Sequence, residues 1–261
     1  PEFRWRANSM TAISPPVTTA RRIGVIETGE RPVELWDEFT DYPDMVARWL
    51  GEALPDAVFE GIRVVTGQPL GEPQDFDGYV ITGSKHGAYD DLPWISPLEE
   101  FIRECARAHI PVFGICFGHQ ILAQAFGARV EKSERGWGVG VQRYEIKGYP
   151  ADGGIPVHVF HQDQVVEVPE GATLLGGNDF CPHGALQFGD HALSVQFHPE
   201  FEGRYMTRLL EVRAGLVLPD EITEGARRTL SEHPDNSTVA KWARAFFESS
   251  WSTGTTATCT P

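Results

Sequence analysis

Apolar positions fall along this chain in two alternating textures. RRIGVIET (21–28), FEGIRVVT (59–66), FDGYVITG (76–83) and IPVFGI (110–115) are short apolar runs that read as buried strands. Between them the apolar residues return at helical spacing. YPDMVARWLGEAL (42–54) sets Met45, Val46, Trp49, Leu50, Ala53 and Leu54 on one face. LEEFIRECARAH (98–109) does the same with Leu98, Phe101, Ile102 and Cys105, and GHQILAQAFG (118–127) predicts a helix closed by Gly127. GQPLGEP (67–73) reads as a loop from its Gly and Pro content. Strands alternating with helices predict right-handed βαβ crossovers and a parallel sheet covered on both faces.

Past Arg129 the texture changes. VGVQRYEI (139–146), PVHVFHQDQVVEV (156–168), GALQFGD (184–190) and HALSVQFH (191–198) are strand-like and separated by turns, either an antiparallel section or an extension of the sheet. GRYMTRLLEVRAG, PDEITEGARRTL and STVAKWARAFFES predict helices between Phe201 and Ser250, packed on the core. The expected organisation is a leader over residues 1–20, expression-derived or disordered, one α/β domain over 21–214, a helical extension over 215–250 and a disordered tail over 251–261. A dinucleotide site would need its glycine fingerprint after the first strand, and ETGERP does not supply it.

The formal net charge of −15 argues against nucleic acid as a direct partner; solubility accounts for it. No apolar run has the length of a membrane span, so no membrane partner is expected. The four cysteines, Cys105, Cys116, Cys181 and Cys259, form no CxxC pair, which fits a reducing, cytoplasmic setting.

The candidate chemistry lies in GICFGHQ (114–120). Gly114-Ile115-Cys116-Phe117-Gly118 has the form G-x-C-x-G between a predicted strand and a predicted helix, the thiol counterpart of a nucleophile elbow. Glycines relieve crowding in such a turn, and the helix start offers unpaired N–H groups and a positive dipole end that favour a thiolate. The N–H of Phe117 can donate to an oxyanion. A lone Cys in a βα turn is ordinarily a buried packing residue; a nucleophile needs a base. His198 supplies one at a strand end, Pro199 stiffens the turn, and Glu200 can set the imidazole tautomer. His119 reads as a packed or half-exposed residue turned from the thiol. His158 and His161 fall on opposite faces of a strand, so no metal site is expected. Cys181 reads as a loop or core thiol, and Trp137 as packing near the site mouth or a lid.

GICFGHQ together with QFHPE resembles the class I (triad) glutamine amidotransferase family. ITGSKHGAYDDLPW and FHQDQV fall where that family carries its oxyanion and substrate-backbone loops, and the resemblance spans about Ile23 to Phe201. It is similar to stand-alone members like the glutaminase half of GMP synthetase and to γ-glutamyl peptidases. The resemblance implies a flavodoxin-like α/β fold, with a mostly parallel sheet flanked by helices plus an antiparallel section. It also implies a Cys116–His198–Glu200 triad that opens a γ-glutamyl amide through a thioester. Gly83 and Phe117 would form the oxyanion hole, and Gln120, Ser84 and the backbone around Gln162 and Asp163 would hold the substrate. No cofactor is expected. TGSKHG departs from the proline-containing glycine loop of many relatives, which leaves the Gly83 donor less defined than that of Phe117. Three readings stay open: a glutaminase that docks on a separate synthetase subunit, a stand-alone γ-glutamyl hydrolase, and a non-catalytic binding or regulatory protein.

Overall fold

The computed structural model describes residues 20–148 and 153–254. Its first half follows the predicted alternation. Strand β1 (Arg22–Ile26) leads to helix α1 (Tyr42–Gly51), β2 (Val58–Ile62), β3 (Gly78–Ile81), α2 (Ile95–Arg107), β4 (Val112–Ile115) and α3 (Phe117–Ala125). Asp41 caps α1 by accepting the Asp44 N–H at 3.0 Å, and Pro43 occupies its first turn, where a missing N–H costs nothing. Val64–Thr66, expected to prolong β2, forms a short 3-10 turn closed by Gly67 at φ 91°.

The second half holds β5 (Val130–Lys132), β6 (Gly138–Ile146), β7 (Ile155–His161), β8 (Asp163–Val165), β9 (Ala172–Gly177), β10 (Ala185–Phe188) and β11 (Ala192–Val195). Helices α4 (Gly203–Arg213), α5 (Asp220–Thr229) and α6 (Asn236–Gly254) follow. The run 156–168, read as one strand, breaks after His161 into β7, which pairs with β6, and β8, which pairs with β5. Strands β5 and β9 have no counterpart in the expectations above.

Nine strands form one sheet in the order β2-β1-β3-β4-β11-β10-β9-β6-β7, and β5-β8 forms a separate ribbon. Pairing is parallel from β2 through β11 and antiparallel from β11 to β7. The sheet is therefore evenly mixed, with the expected antiparallel section continuing the parallel one.

Side chains alternate across the sheet as the strand period of two requires. Val80, Phe113 and Ile115 point into a core shared with α1 and α6, whereas Tyr79, Ile81 and Val112 enter a core shared with α2 and α3. Helix α6 belongs to the first of these cores: Val239, Ala243 and Phe247 are fully buried there. It also continues through Trp251 to Gly254, so the first four residues of the expected disordered tail are helical. Residues 255–261 of that tail and 1–19 of the leader lie outside the described residues. A third core joins α4 and α5 to β6 through Val139, Phe201, Tyr205, Met206, Leu209 and Leu210. Among the described residues no helix is long and apolar enough to cross a membrane.

This topology sets four neighbouring parallel strands, β1, β3, β4 and β11, with their carboxyl ends on one edge. The segments leaving that edge are Glu27–Glu30, Thr82–His86, Cys116–Phe117 and Gln196–Glu200, and open α/β sheets bind ligands at that edge.

Candidate active site

Cys116 occupies the junction between β4 and α3 with φ 53° and ψ −99°. An L-residue held there stores about 1–3 kcal/mol of backbone strain, a cost that appears mostly at functional positions. The turn is possible because its neighbours lack side chains. A Cβ on Gly114 would lie 2.5 Å from the Gly118 carbonyl oxygen, and one on Gly118 would lie 2.4 Å from the Ile81 carbonyl oxygen. Neither glycine has a positive φ, so what they provide is space. The Cys116 N–H is tied to the Val195 carbonyl at 2.9 Å and the Gly118 N–H to the Thr82 carbonyl at 3.2 Å, which pins the elbow to both flanking strands.

His198 leaves β11 with its backbone N–H on the His158 carbonyl at 2.8 Å. Its Nδ1 lies 2.8 Å from Glu200 Oε1, and both side chains are buried. Since Glu200 is an acceptor, Nδ1 carries the proton, leaving Nε2 for the other direction. Phe201 stacks flat on the imidazole, with ring centroids 4.1 Å apart and planes 6° apart. Burial works against a charged His198, yet attraction to Cys116 and Glu200 and hydrogen bonds to both side chains hold its pKa up, at about 10. Cys116 and His198 line the same cavity.

Gly83 approaches the same imidazole: a Cβ there would lie 2.8 Å from His198 Cε1 and 3.7 Å from the Cys116 Cβ. Among the described residues no protein acceptor takes the N–H of Gly83 or of Phe117, the first residue of α3. Two unengaged N–H groups thus lie on the segments next to Cys116. The loop carrying Gly83 is braced by a residue without an assigned role in the sequence reading. Thr28 donates its hydroxyl to the Thr82 carbonyl at 2.9 Å and its N–H to Thr82 Oγ1 at 3.1 Å. Ser84 lines the cavity, but its hydroxyl is committed to the same brace, donating to the Thr28 carbonyl at 2.7 Å and accepting the His86 N–H at 3.1 Å. Its expected contact with substrate is therefore not what its hydroxyl is arranged for.

Gln120 donates Nε2–H to the Asp163 carbonyl at 2.9 Å and to Gln196 Oε1 at 3.3 Å. Gln196, fully buried, donates in turn to Cys116 Sγ at 3.6 Å. This link from sulfur to the 161–163 turn was also absent from the sequence reading; the sole signal for it was the Gln that opens QFHPE. The Asp163 carbonyl also faces His161 Nδ1 at 3.1 Å, and the Gln162 carbonyl accepts the Ser133 N–H at 3.0 Å. Both carbonyls are thus engaged within the protein. Burial raises the pKa of Asp163, whose carboxylate takes the Tyr89 hydroxyl at 2.9 Å.

His119, His158 and His161 are structural. His119 is fully buried, deeper than the packed or half-exposed place expected, with Nδ1 at 2.8 Å from Ser194 Oγ and away from the thiol. Burial drives its pKa down to about 3. His158 meets the Phe201 carbonyl at 3.0 Å, and burial lowers both His158 and His161 to about 4, so all three are neutral at pH 7. Cys181 is a buried core thiol, pushed up to about 12 by burial.

A cavity of about 480 Å³ joins these groups. Gly83, Cys116, His198, Gln120, Gln162 and Asp163 line it, as do Tyr42, Trp137, Phe160 and Leu209, which pack with the third core, and Arg213 and Val217. Trp137 packs edge-on against Phe160 at 5.6 Å, as wall rather than bystander.

Comparison with known proteins gives a consistent result. The family model "Glutamine amidotransferase class-I" matches residues 66–213. Gamma-glutamyl peptidase 3 of Arabidopsis thaliana is 31% identical over 201 residues, covering 71% of this chain and 81% of that protein. The glutamine-hydrolyzing GMP synthase of Azoarcus sp. is 27% identical over 187 residues, covering 62% of this chain but 34% of the synthase. Among solved structures, a glutamine amido transferase from Methylobacillus flagellatus superposes with a TM-score of 0.68 at 23% identity, over 90% of this chain and 95% of its own, a likeness of fold.

Proposed function

This chain belongs to the class-I glutamine amidotransferase family, and from that premise we propose that it is a stand-alone cysteine hydrolase of γ-glutamyl compounds. The observation that carries the reading is the buried His198–Glu200 pair, 2.8 Å apart, facing a cysteine held at a strained strand–helix junction. The γ-glutamyl peptidase relative, most of whose length this chain matches, supports the choice of substrate.

In this reading His198 Nε2 has already taken the thiol proton, as its raised pKa favours, and the Cys116 sulfur attacks the γ-carbonyl carbon. The carbonyl oxygen gains negative charge and is held by the N–H groups of Gly83 and Phe117. The C–N bond then breaks, and His198 returns the proton to the departing amine. What remains is a γ-glutamyl thioester on Cys116. Water adds to the thioester carbon, giving one proton to His198 and then to sulfur, and glutamate leaves with the thiol restored. Glu200 keeps the Nδ1 proton in place throughout and stabilises the imidazolium. Gln196 and Gln120 couple the sulfur to the turn that receives the glutamyl end. The domain is residues 21–214 with the helices that follow packed upon it. A thiol nucleophile must stay reduced, so we assign the protein to a reducing compartment such as the cytoplasm.

The GMP synthase relative motivates a second version, a glutaminase subunit serving a separate synthetase. Assay of the purified chain alone separates the two. The stand-alone reading expects glutamate release from γ-glutamyl peptides, lost by about 10⁴-fold or more in Cys116→Ala, as for removal of other triad nucleophiles. Release from glutamine alone, weak until a partner is added, would favour the subunit. No release from either, with Cys116 unreactive to a glutamine-analogue electrophile, would leave a binding protein.

A further inference from the structure

We propose that the cavity beyond His198 is a subsite for a leaving amine that carries its own carboxylate beside an apolar side chain. That is the chemistry of an α-amino acid joined through its nitrogen to the γ-carboxyl of glutamate, and Arg213 receives the carboxylate. The proposal rests on the hydrolase reading above and narrows its substrate.

Direction follows from the acid. The group that protonates the leaving nitrogen must stand on the leaving side, and His198 is that group. Gln120 and Asp163 are joined to the sulfur through Gln196 and not through His198, and the glutamyl end would rest there. The leaving amine therefore faces the surface continuous with His198: Phe201, Tyr42, Leu209, Phe160 and Val217. This wall is apolar, and ammonia would leave it empty.

Charge supplies the second half. In a chain of net charge −15, basic groups ordinarily find acidic partners. On α4, Arg204 and Arg208 both pair with Glu38, and Arg208 also pairs with Glu211. Arg213, at the end of that helix, takes part in no ion pair or side-chain hydrogen bond among the described residues, although it is half-buried on the cavity. The cavity's acids lie elsewhere. Asp163 is held by Tyr89 and stands opposite Lys132 in the β5–β8 register. Glu30 follows Gly29, which packs on Ser84 of the oxyanion loop. An unpaired guanidinium lining the same cavity as this apolar wall is suited to a carboxylate in forked geometry.

The test compares γ-glutamyl-phenylalanine with γ-glutamyl-phenylalaninamide, which share the scissile bond and differ in the terminal charge. Wild type should prefer the free acid by about ten- to a hundredfold in kcat/KM, mostly through KM, the range for a charge-assisted hydrogen bond. In Arg213→Met the acid-to-amide ratio should fall to near one, and Arg213→Lys should keep part of it. Because both substrates are read on the same protein sample, partial misfolding of a variant cancels in the ratio. A wild-type ratio near one, or a ratio unchanged in Arg213→Met, overturns the subsite while the hydrolase reading stands. No glutamate from either compound overturns the hydrolase reading and the subsite with it.

Discussion

The two parts of the cavity lining, that beside the sulfur and that packed on the third core, are built by different means. The part beside the sulfur is made of backbone: a strained Cys116, glycines at 83, 114 and 118 where a Cβ would collide with neighbours, and loops leaving adjacent parallel strands. The rest of the lining is made of side chains from α1, the residue before β6, β7, α4 and the turn after it, residues 42 to 217 in the chain. Backbone geometry admits few residue types, whereas a wall of side chains can be rebuilt one by one. The first part should thus tolerate almost no substitution, and the second should respond by changing preference.

The strongest challenge to that contrast is Glu200→Gln. The side chain keeps its shape but loses the charge that supports the imidazolium. We expect kcat to fall by about 10²–10⁴-fold, the upper end matching loss of the acid in a related triad. The alkaline limb of the rate profile should move to lower pH, because Glu200 is one of the groups that raise His198. A loss below tenfold with an unmoved limb would mean that Glu200 is merely packing.

Next in size is Gly118→Ala. Its methyl group would meet the Ile81 carbonyl oxygen at 2.4 Å, a backbone atom that cannot step aside. Denaturant unfolding should register a loss of about 3 kcal/mol, near the upper end of overpacking costs. Full stability in this variant would show that the elbow has slack.

The smallest of the three concerns both parts together, since each rests on a buried neutral histidine. His119 lies under the elbow and His158 under Phe201, with His161 beside them. Their pKa values in the fold are depressed, to about 3, 4 and 4. The unfolded chain therefore binds protons that the fold refuses between about pH 6.5 and pH 4, and stability must fall as pH falls through that window. Glu27 opposes this: burial raises it to about 7, so the fold takes up its proton earlier than the unfolded chain and gains as pH falls. The net effect should be a loss of about 1–2 kcal/mol per pH unit, below the ideal linkage slope for two protons. Urea midpoints measured from pH 7 to pH 4.5 would reveal it, and a flat series would mean that these histidines admit water.

The same contrast explains what the sequence made legible. Gly114, Cys116, Gly118, His198 and Glu200 occur in two short segments whose spacing is itself the geometry, and the βα alternation placed them at strand ends. Arg213 and Tyr42 meet the site only through the fold, and no local pattern marks them; Gln196 was marked only by opening QFHPE. Strand β9 was hidden for another reason. ATLLGG lacks strand-like alternation, and its glycines serve close backbone approach: a Cβ on Gly176 would lie 1.9 Å from the Glu145 carbonyl oxygen of β6, and one on Gly177 2.2 Å from that of Pro182. Its neighbours in the sheet, not its own composition, make it a strand. The break after His161 is similar, since β7 and β8 serve different sheets and only tertiary pairing separates them.

The flat stack of Phe201 on His198 bears on the order of events. One face of the imidazole is sealed, and its Nδ1 edge is occupied by Glu200, so only the Nε2 edge remains open to traffic. On the proposed mechanism the departing amine and the arriving water must use that single berth in turn. Water cannot reach the thioester while the amine is still in place, and an amine that lingers or returns can take the acyl group back. The hydrolase then works as a turnstile, whose direction is set by how readily the first product vacates its seat.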